Sequence, residues 1–519
     1  KIPTINYSIM LLMYLHNFRI QLHAFENDHY LKYIDLSSNK ITSLKLGVLD
    51  GNTQVTHLNL SHNLLTELPL GLFDQMISLE VLDFKGNKLD SLDVSLFDNQ
   101  PKLAHLDLSS NPLLGENINV YTFDQNTKIK FIDFSRNNMS ESGEYLLEVT
   151  YLNLSHNVLT TFPMGLFDQK PNINVLDLKG NKLNTLEKGI FDPLSKLTHL
   201  DLSSNSLLGK MMDPFLFRNC QKINFMDFSR NNMSETPENL LQAFLELDFL
   251  NLDRCNLKEV PPFATRSNLK TMKHLMLSNN QITKIEQANT FVYLDNLEIL
   301  NLYENFIEIV GNEVFQPLKR LKKIILRNNR MKIVPNDLFL NIKAIASVDM
   351  SYNLIEFVPV NAFRGTSLKY LNLSHNRFSY LDANFCLELR NSGVKLTKFY
   401  FNDNPWQCAC LNEVLKEMKK YDVKYNSAKY NGGYAKCETR EPLFCEMSVL
   451  MDFLIKVSFV VFCFVGIKFF TQITAHTKER RLVGDAFDSL YCQIKLYELA
   501  KDQMEDMNQS LKCYMILVV

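Results

Sequence analysis

Net charge is what this sequence has least of. Its 519 residues carry 55 Lys and Arg against 57 Asp and Glu, so it lacks the electrostatic footprint of a nucleic-acid-binding protein or of one held to membranes by charge alone. No nucleic-acid partner is expected. No histidine lies among the closely spaced Cys408, Cys410, Cys437 and Cys445, which argues against zinc there. No metal or cofactor is expected. The chain starts at Lys1 with no complete signal peptide, so a truncated N-terminus is expected. Apolar runs long enough to cross a bilayer are also scarce. Residues 9–15 are too short and fit a degenerate first repeat around Asn17, whereas residues 449–470 suffice.

What the chain has in abundance is one phrase, Leu-x-x-Leu-x-Leu-x-x-Asn-x-Leu, cleanest in Val55-Thr56-His57-Leu58-Asn59-Leu60-Ser61-His62-Asn63-Leu64-Leu65. Its asparagine recurs from Asn39 to Asn404, mostly every 24 or 25 residues, with Cys255 standing in once. A period in this range specifies a solenoid, in which no unit buries its own apolar face and neighbours supply the stability. Leu82 and Phe84 alternate with Val81, Asp83 and Lys85, so each unit opens with a short strand that has one buried face. The asparagine amide is suited to bonding backbone groups left open where the chain turns. A phenylalanine marks each return path: Phe73, Phe97, Phe123, Phe167, Phe191, Phe217, Phe291, Phe315, Phe339 and Phe363 are spaced to stack into a spine.

A longer repeat overlies the short one. Residues 55–140 align with 149–234 at a shift of 94, and Phe134-Ser135-Arg136-Asn137-Asn138-Met139-Ser140-Glu141 returns as Phe228-Ser229-Arg230-Asn231-Asn232-Met233-Ser234-Glu235. The junction carries the shortest step, from Asn137 to Asn157. A quasi-one-dimensional fold accepts such copying, because an inserted block meets the same neighbours.

These phased units resemble the typical subfamily of extracellular leucine-rich repeat proteins, including Toll receptor ectodomains and insect leucine-rich immune and adhesion proteins. The resemblance implies an α/β leucine-rich repeat horseshoe over residues 1–404 with a parallel concave sheet; sixteen units at about 4.8 Å per strand give an arc of roughly 75 Å. Residues 405–445, which follow Asn404 with Pro405-Trp406-Gln407-Cys408-Ala409-Cys410, resemble the cysteine-rich cap of that family. That likeness implies the bridges Cys408–Cys437 and Cys410–Cys445, which spacing alone does not determine. A helical stretch is expected over residues 411–421.

Beyond the cap, residues 449–470 are read as a single transmembrane helix, with a buried or interfacial helix as the alternative. Lys478, Arg480 and Arg481 follow it and Glu441 and Glu446 precede it, so the C-terminus is expected in the cytoplasm. The tail, residues 471–519, places Phe487, Leu490, Ile494, Tyr497, Met504 and Leu511 at heptad positions, consistent with a short helix. Cys220 and Cys386 are left over from the cap pairing and lie outside the strand motif; they are read as unpaired, reduced cysteines, with an interchain bridge from one of them as the alternative. Sequons at Asn59, Asn138, Asn153, Asn232 and Asn372 fit a surface ectodomain.

The concave strands carry His57, Asp83, His105, Asp107, Asp133, His199 and Asp201. His57 and His105 fall two units apart, roughly 10 Å, too far to share a zinc ion, and no catalytic role is assigned. Binding is better supported. Phe225, Phe249, Tyr303, Glu304, Arg327, Tyr352, Tyr370 and Tyr400 concentrate on the later strands, aromatics and arginine commonly carry interface energy, and the cluster from Tyr303 to Tyr400 is the expected site. The expected protein is a plasma-membrane, single-pass type I recognition or adhesion receptor. It would bind protein or microbial ligands, possess no enzymatic activity and pair as a homo- or heterodimer. The alternative is a secreted protein in a disulfide- or coiled-coil-linked complex.

Overall fold

A computed structural model describes residues 31–119, 122–123, 125–140, 149–382, 384–429 and 437, together with the backbone of Ile9–Leu11. The chain divides into a unit of residues 1–440 and a unit of residues 441–519. The second unit, with the apolar stretch 449–470 and the heptad positions, lies outside the described residues. Among the described residues no helix is long and apolar enough to cross a membrane.

The first unit is a solenoid. Each coil contributes one three-residue strand to a continuous parallel sheet of 17 strands. His57–Asn59, Val81–Asp83 and His105–Asp107 pair in register, and the pattern runs on to Lys398–Tyr400. The sheet begins at Ile9–Leu11, with Ile9 opposite Tyr33. A strand therefore stands within the expected degenerate first repeat, and Asn17 lies outside the described residues. The shortened coil between Phe131–Asp133 and Tyr151–Asn153 keeps its register, so the shorter return leg does not interrupt the sheet.

From Tyr33–Asp35 on, the central residue of each of these strands is buried and the residues beside it lie on the other face: Leu58, Leu82, Leu106 and Ile132 are sealed, while His57, Val81, His105 and Phe131 are half-buried. The asparagines close the coil from inside. Asn87 Nδ2 donates to the carbonyls of Leu60 and Phe84 at 3.0 and 2.9 Å, and its Oδ1 accepts the N–H of Leu65 at 3.1 Å. Each rung therefore ties two coils together and satisfies backbone groups that would otherwise be buried unpaired. At Cys255 the thiol makes weaker contacts to the carbonyls of Phe228 and Asp253, at 3.3 and 3.5 Å. The N–H of Met233 is taken instead by the backbone carbonyl of Cys255 at 3.0 Å.

The phenylalanines stack with ring centroids of Phe73, Phe97 and Phe123 at 6.1 and 5.9 Å. A second run joins Phe167, Phe191 and Phe217 at 6.2 and 5.4 Å. A third joins Phe291, Phe315, Phe339 and Phe363 at 5.8 to 5.9 Å. These are favourable aromatic separations. Phe244 extends the second run from Phe217, a member outside the expected spacing.

The return legs correct the α/β expectation. Among the described residues they are turns, short 3-10 segments and one pair of two-residue strands, Lys284–Ile285 with Ile309–Val310, and the only α-helices are Phe385–Asn391 and Cys408–Lys420 near the end. Two features of the legs oppose an α-helix. A 24-residue coil leaves little room for three helical turns and their connections. The legs also carry Pro69 and Gly71, and Pro163 and Gly165, with the glycines at φ +83 and +80, outside helical backbone space.

The cap packs through the chain's one tryptophan. Trp406 is buried, sits edge-on to Phe378 and Phe401, and donates from Nε1 to the Phe401 carbonyl at 2.9 Å. Cys408 and Cys437 are joined by a disulfide with Cα atoms 4.9 Å apart. Cys410 is disulfide-bonded as well, and Cys445 lies outside the described residues. The carboxylate of Glu417 accepts the N–H groups of Cys386 and Leu387, anchoring the first turn of the shorter helix. Cys220, Cys255 and Cys386 are free and buried. Burial pushes the Cys220 and Cys255 thiols up to about 12 and raises that of Cys386 further. In the folded solenoid neither Cys220 nor Cys386 is exposed to a partner chain.

Candidate functional site

A parallel sheet normally has both faces covered. Here the inner face is sealed by leucines and phenylalanines, and the outer face remains half-exposed along its length. The outer face is organised in columns because equivalent residues pair strand to strand.

The column at the third strand position is acidic. Asp83, Asp107 and Asp133 lie opposite one another, followed by Asn153; Asp177, Asp201 and Asp227 repeat the pattern, followed by Asn251. Each carboxylate accepts the N–H two residues on, as Asp133 does from Ser135 at 2.7 Å and Asp201 from Ser203 at 2.8 Å. The asparagines do the same and also donate backwards. Asn153 Nδ2 reaches Asp133 Oδ2 at 2.9 Å, and Asn251 Nδ2 reaches Asp227 Oδ2 at 2.8 Å. Burial holds Asp83, Asp133, Asp177, Asp201 and Asp227 above the usual carboxylate range, despite the opposing N–H bonds.

The column at the first strand position is aromatic. His105 stacks on Phe131 with centroids 3.9 Å apart, and Phe131 on Tyr151 at 4.4 Å. His199, Phe225 and Phe249 form a like stack at 5.6 and 4.8 Å. Burial holds His105 and His199 below the ordinary imidazole range. The expectation had placed the aromatic concentration on later strands. Phe225, Phe249, His105 and His199 were read as outward strand residues, but Phe131, Tyr151 and the stacking were missed because a strand-by-strand reading does not align one column; a histidine or aromatic just before the buried strand leucine in successive repeats was the available signal.

The six expected site residues separate into groups. Tyr370 and Tyr400 belong to adjacent strands, and their rings meet edge-on at 5.8 Å. Tyr303, Glu304, Arg327 and Tyr352 sit in the turns after their strands, Glu304 and Tyr352 at positive φ. The Arg327 guanidinium lies 4.6 Å over the Tyr352 ring. That ring stacks on His375 at 4.0 Å, and His375 Nε2 approaches Asp403 at 3.2 Å. Cation, ring, imidazole and carboxylate thus run across four coils. His375 and Asp403 were not foreseen, because the contact order appears only when the coils are stacked. Tyr303 and Glu304 precede this chain by one coil, and no ring contact links Tyr303 to it among the described residues.

The sequons differ in exposure. Asn138 is exposed, and Asn59 and Asn232 are half-buried. Asn153 and Asn372 are buried, with Nδ2 already donating to Asp133 and Asp349. No group of three His, Cys, Asp or Glu among the described residues could hold a metal ion.

A Leucine rich repeat model matches residues 16–65, 53–113, 147–207, 270–331 and 319–378, and a second Leucine Rich Repeat model matches 196–220. The chain belongs to the leucine-rich repeat family. No curated protein sequence matches it. The solved complex of Drosophila Toll with Spatzle is similar in fold, with 22% identity and a TM-score of 0.61 over 79% of this chain and 60% of that one. This leucine-rich repeat chain thus spans about 60% of the length of that Toll structure. A leucine-rich repeat protein of Leptospira interrogans is similar at 22% identity and a TM-score of 0.58, covering 76% of this chain and 95% of that one.

Proposed function

We propose that the chain is a recognition protein of the cell surface that holds a protein or microbial-surface ligand against the outer sheet face of its later coils. The observation that carries this reading is the linked set Arg327, Tyr352, His375 and Asp403 beside the Tyr370–Tyr400 pair. Preorganised rings and a guanidinium lose little conformational entropy on docking, and such residues dominate measured interfaces. Tyr303 and Glu304 extend the site toward the preceding coil. The Toll structure of similar fold is a complex with Spatzle, which is compatible with a protein ligand. Residues 449–470 would anchor the chain as a type I protein, and Asn138 is the sequon best placed to carry glycan.

Two measurements test the reading. The full chain, given a signal peptide and a tag at each end, is displayed on cells; staining of the N-terminal tag on intact cells and of the C-terminal tag only after permeabilisation supports the anchored topology. Both tags in the medium would refute it. Displayed cells are then offered labelled heat-killed bacteria and a panel of secreted proteins. Whatever binds should be lost with alanine at Tyr303, Tyr352 and Tyr370 together, at equal surface density; retained binding assigns the site elsewhere.

A further inference from the structure

We propose that the duplicated block gives the sheet two equivalent docking sites, centred on Phe131 and Phe225, each for a protein segment carrying basic and apolar side chains side by side. These sites are separate from the later-coil cluster. Between residues 55–140 and 149–234 the two copies differ at 35 of 86 aligned positions, including buried ones such as Phe84 and Leu178, or Met76 and Lys170. The sixteen positions that flank the strand centres and open the turns after them, some of them buried serines, differ at one, His57 against Tyr151, and there a ring is kept.

Some of this retention has a structural cause. The Asp and Asn side chains hold the turn N–H groups, the serines after Asn59, Asp107 and Asp133 and their counterparts supply those N–H groups, and Gly86 and Gly180 make room for His62 and His156. A Cβ at either glycine would lie 2.7 or 2.6 Å from an imidazole Nδ1. The solenoid does not require the rest. Val81, His105, Phe131, Lys85, Ser110, Arg136 and His62 all return unchanged as Val175, His199, Phe225, Lys179, Ser204, Arg230 and His156. Half-exposed positions that vary less than the core indicate a constraint from outside the fold.

The chemistry of the face specifies the partner. Each copy sets two stacked rings, His105 and Phe131 or His199 and Phe225, beside a row of three carboxylates, Asp83, Asp107 and Asp133 or Asp177, Asp201 and Asp227, and the coil that follows each copy's last strand adds a third ring, Tyr151 or Phe249. Residues 31–265 hold 29 Asp and Glu against 20 Lys and Arg, so the surrounding field favours a cationic partner. The stacked rings offer an apolar ridge, and the carboxylate row takes the basic side chains. Four strand steps separate Phe131 from Phe225, about 19 Å, so a partner presenting the segment twice at that spacing would gain from effective concentration.

The test uses the full chain and a twelve-residue peptide of alternating Leu and Arg, with a Leu and Glu peptide as control, in titration calorimetry. Two equivalents of the Arg peptide and none of the Glu peptide are expected. Phe131→Ala and Phe225→Ala should each leave one equivalent, and the double variant none. Where an alanine variant fails to fold, the pairs Asp107→Asn with Asp133→Asn and Asp201→Asn with Asp227→Asn replace it, because Asn153 and Asn251 show that asparagine fits this column. Any other stoichiometry, binding that survives both substitutions, or equal uptake of the Glu peptide overturns the proposal.

Discussion

Replacing Asn181 by alanine tests the internal ladder most directly. Asn181 Nδ2 donates to the carbonyls of Leu154 and Leu178, both at 2.9 Å, and Oδ1 accepts the N–H of Leu159 at 3.2 Å. The two carbonyls keep other partners, since Asn157 also reaches Leu154 and Asn205 also reaches Leu178. The Leu159 N–H loses its acceptor inside the core. Two lost bonds at about 1 kcal/mol each and one orphaned donor at about 1–3 kcal/mol give an expected cost of about 3–5 kcal/mol. Cys255→Ala is the internal comparison. It removes two weak sulfur contacts and leaves the Met233 N–H bonded to a backbone carbonyl, for a cost of about 1 kcal/mol. Repeat arrays depart from two-state unfolding, so a urea midpoint should be read together with amide exchange at Leu159. Equal costs for the two variants, or unchanged protection of the Leu159 amide, would refute the ladder's energetic role.

Three further outcomes follow from named contacts. Asp201 binds its proton more tightly folded than unfolded, so its contribution to stability falls as pH rises from the ordinary carboxylate range through its raised folded value. Asp201→Asn should therefore stabilise at pH 7, by about 1 kcal/mol if its new amide donates to Asp177 as Asn153 does to Asp133. The gain should shrink in urea titrations near pH 4, and a gain that grows on acidification contradicts the sign. Glycopeptide mapping of the chain displayed on cells should find glycan at Asn138 and none at Asn153 or Asn372, whose amides are buried and engaged; glycan on either of those two in folded material counts against this packing. Iodoacetamide at pH 8 should leave Cys220, Cys255 and Cys386 unmodified by peptide mapping and label all three in urea, since burial both hides the thiols and suppresses their thiolates. Labelling of Cys220 or Cys386 in the native chain would reopen the interchain-bridge alternative.

The fold was legible because a solenoid is specified locally and then repeated. Leu58, Asn63 and Phe73 each state one coil's needs, and a regular period carries that statement along the chain. Cys255 as a rung and residues 411–421 as helix could be read in the same way. The return legs were not, since a resemblance supplies a class label, whereas Pro69 and Gly71 decide the local backbone. For the surface, the sequence by itself determined which residues would face outward on each strand, because strand alternation settles that within a coil. Only the tertiary structure decided which of them touch. The contacts of Arg327 with Tyr352, of Tyr352 with His375 and of His105 with Phe131 join residues about 25 positions apart, and they depend on register, on turn geometry and on the few ångströms between coils. The same stacking decided which sequon amides are already spent and which cysteines are sealed, because burial belongs to neighbouring coils together and is not written in any one of them.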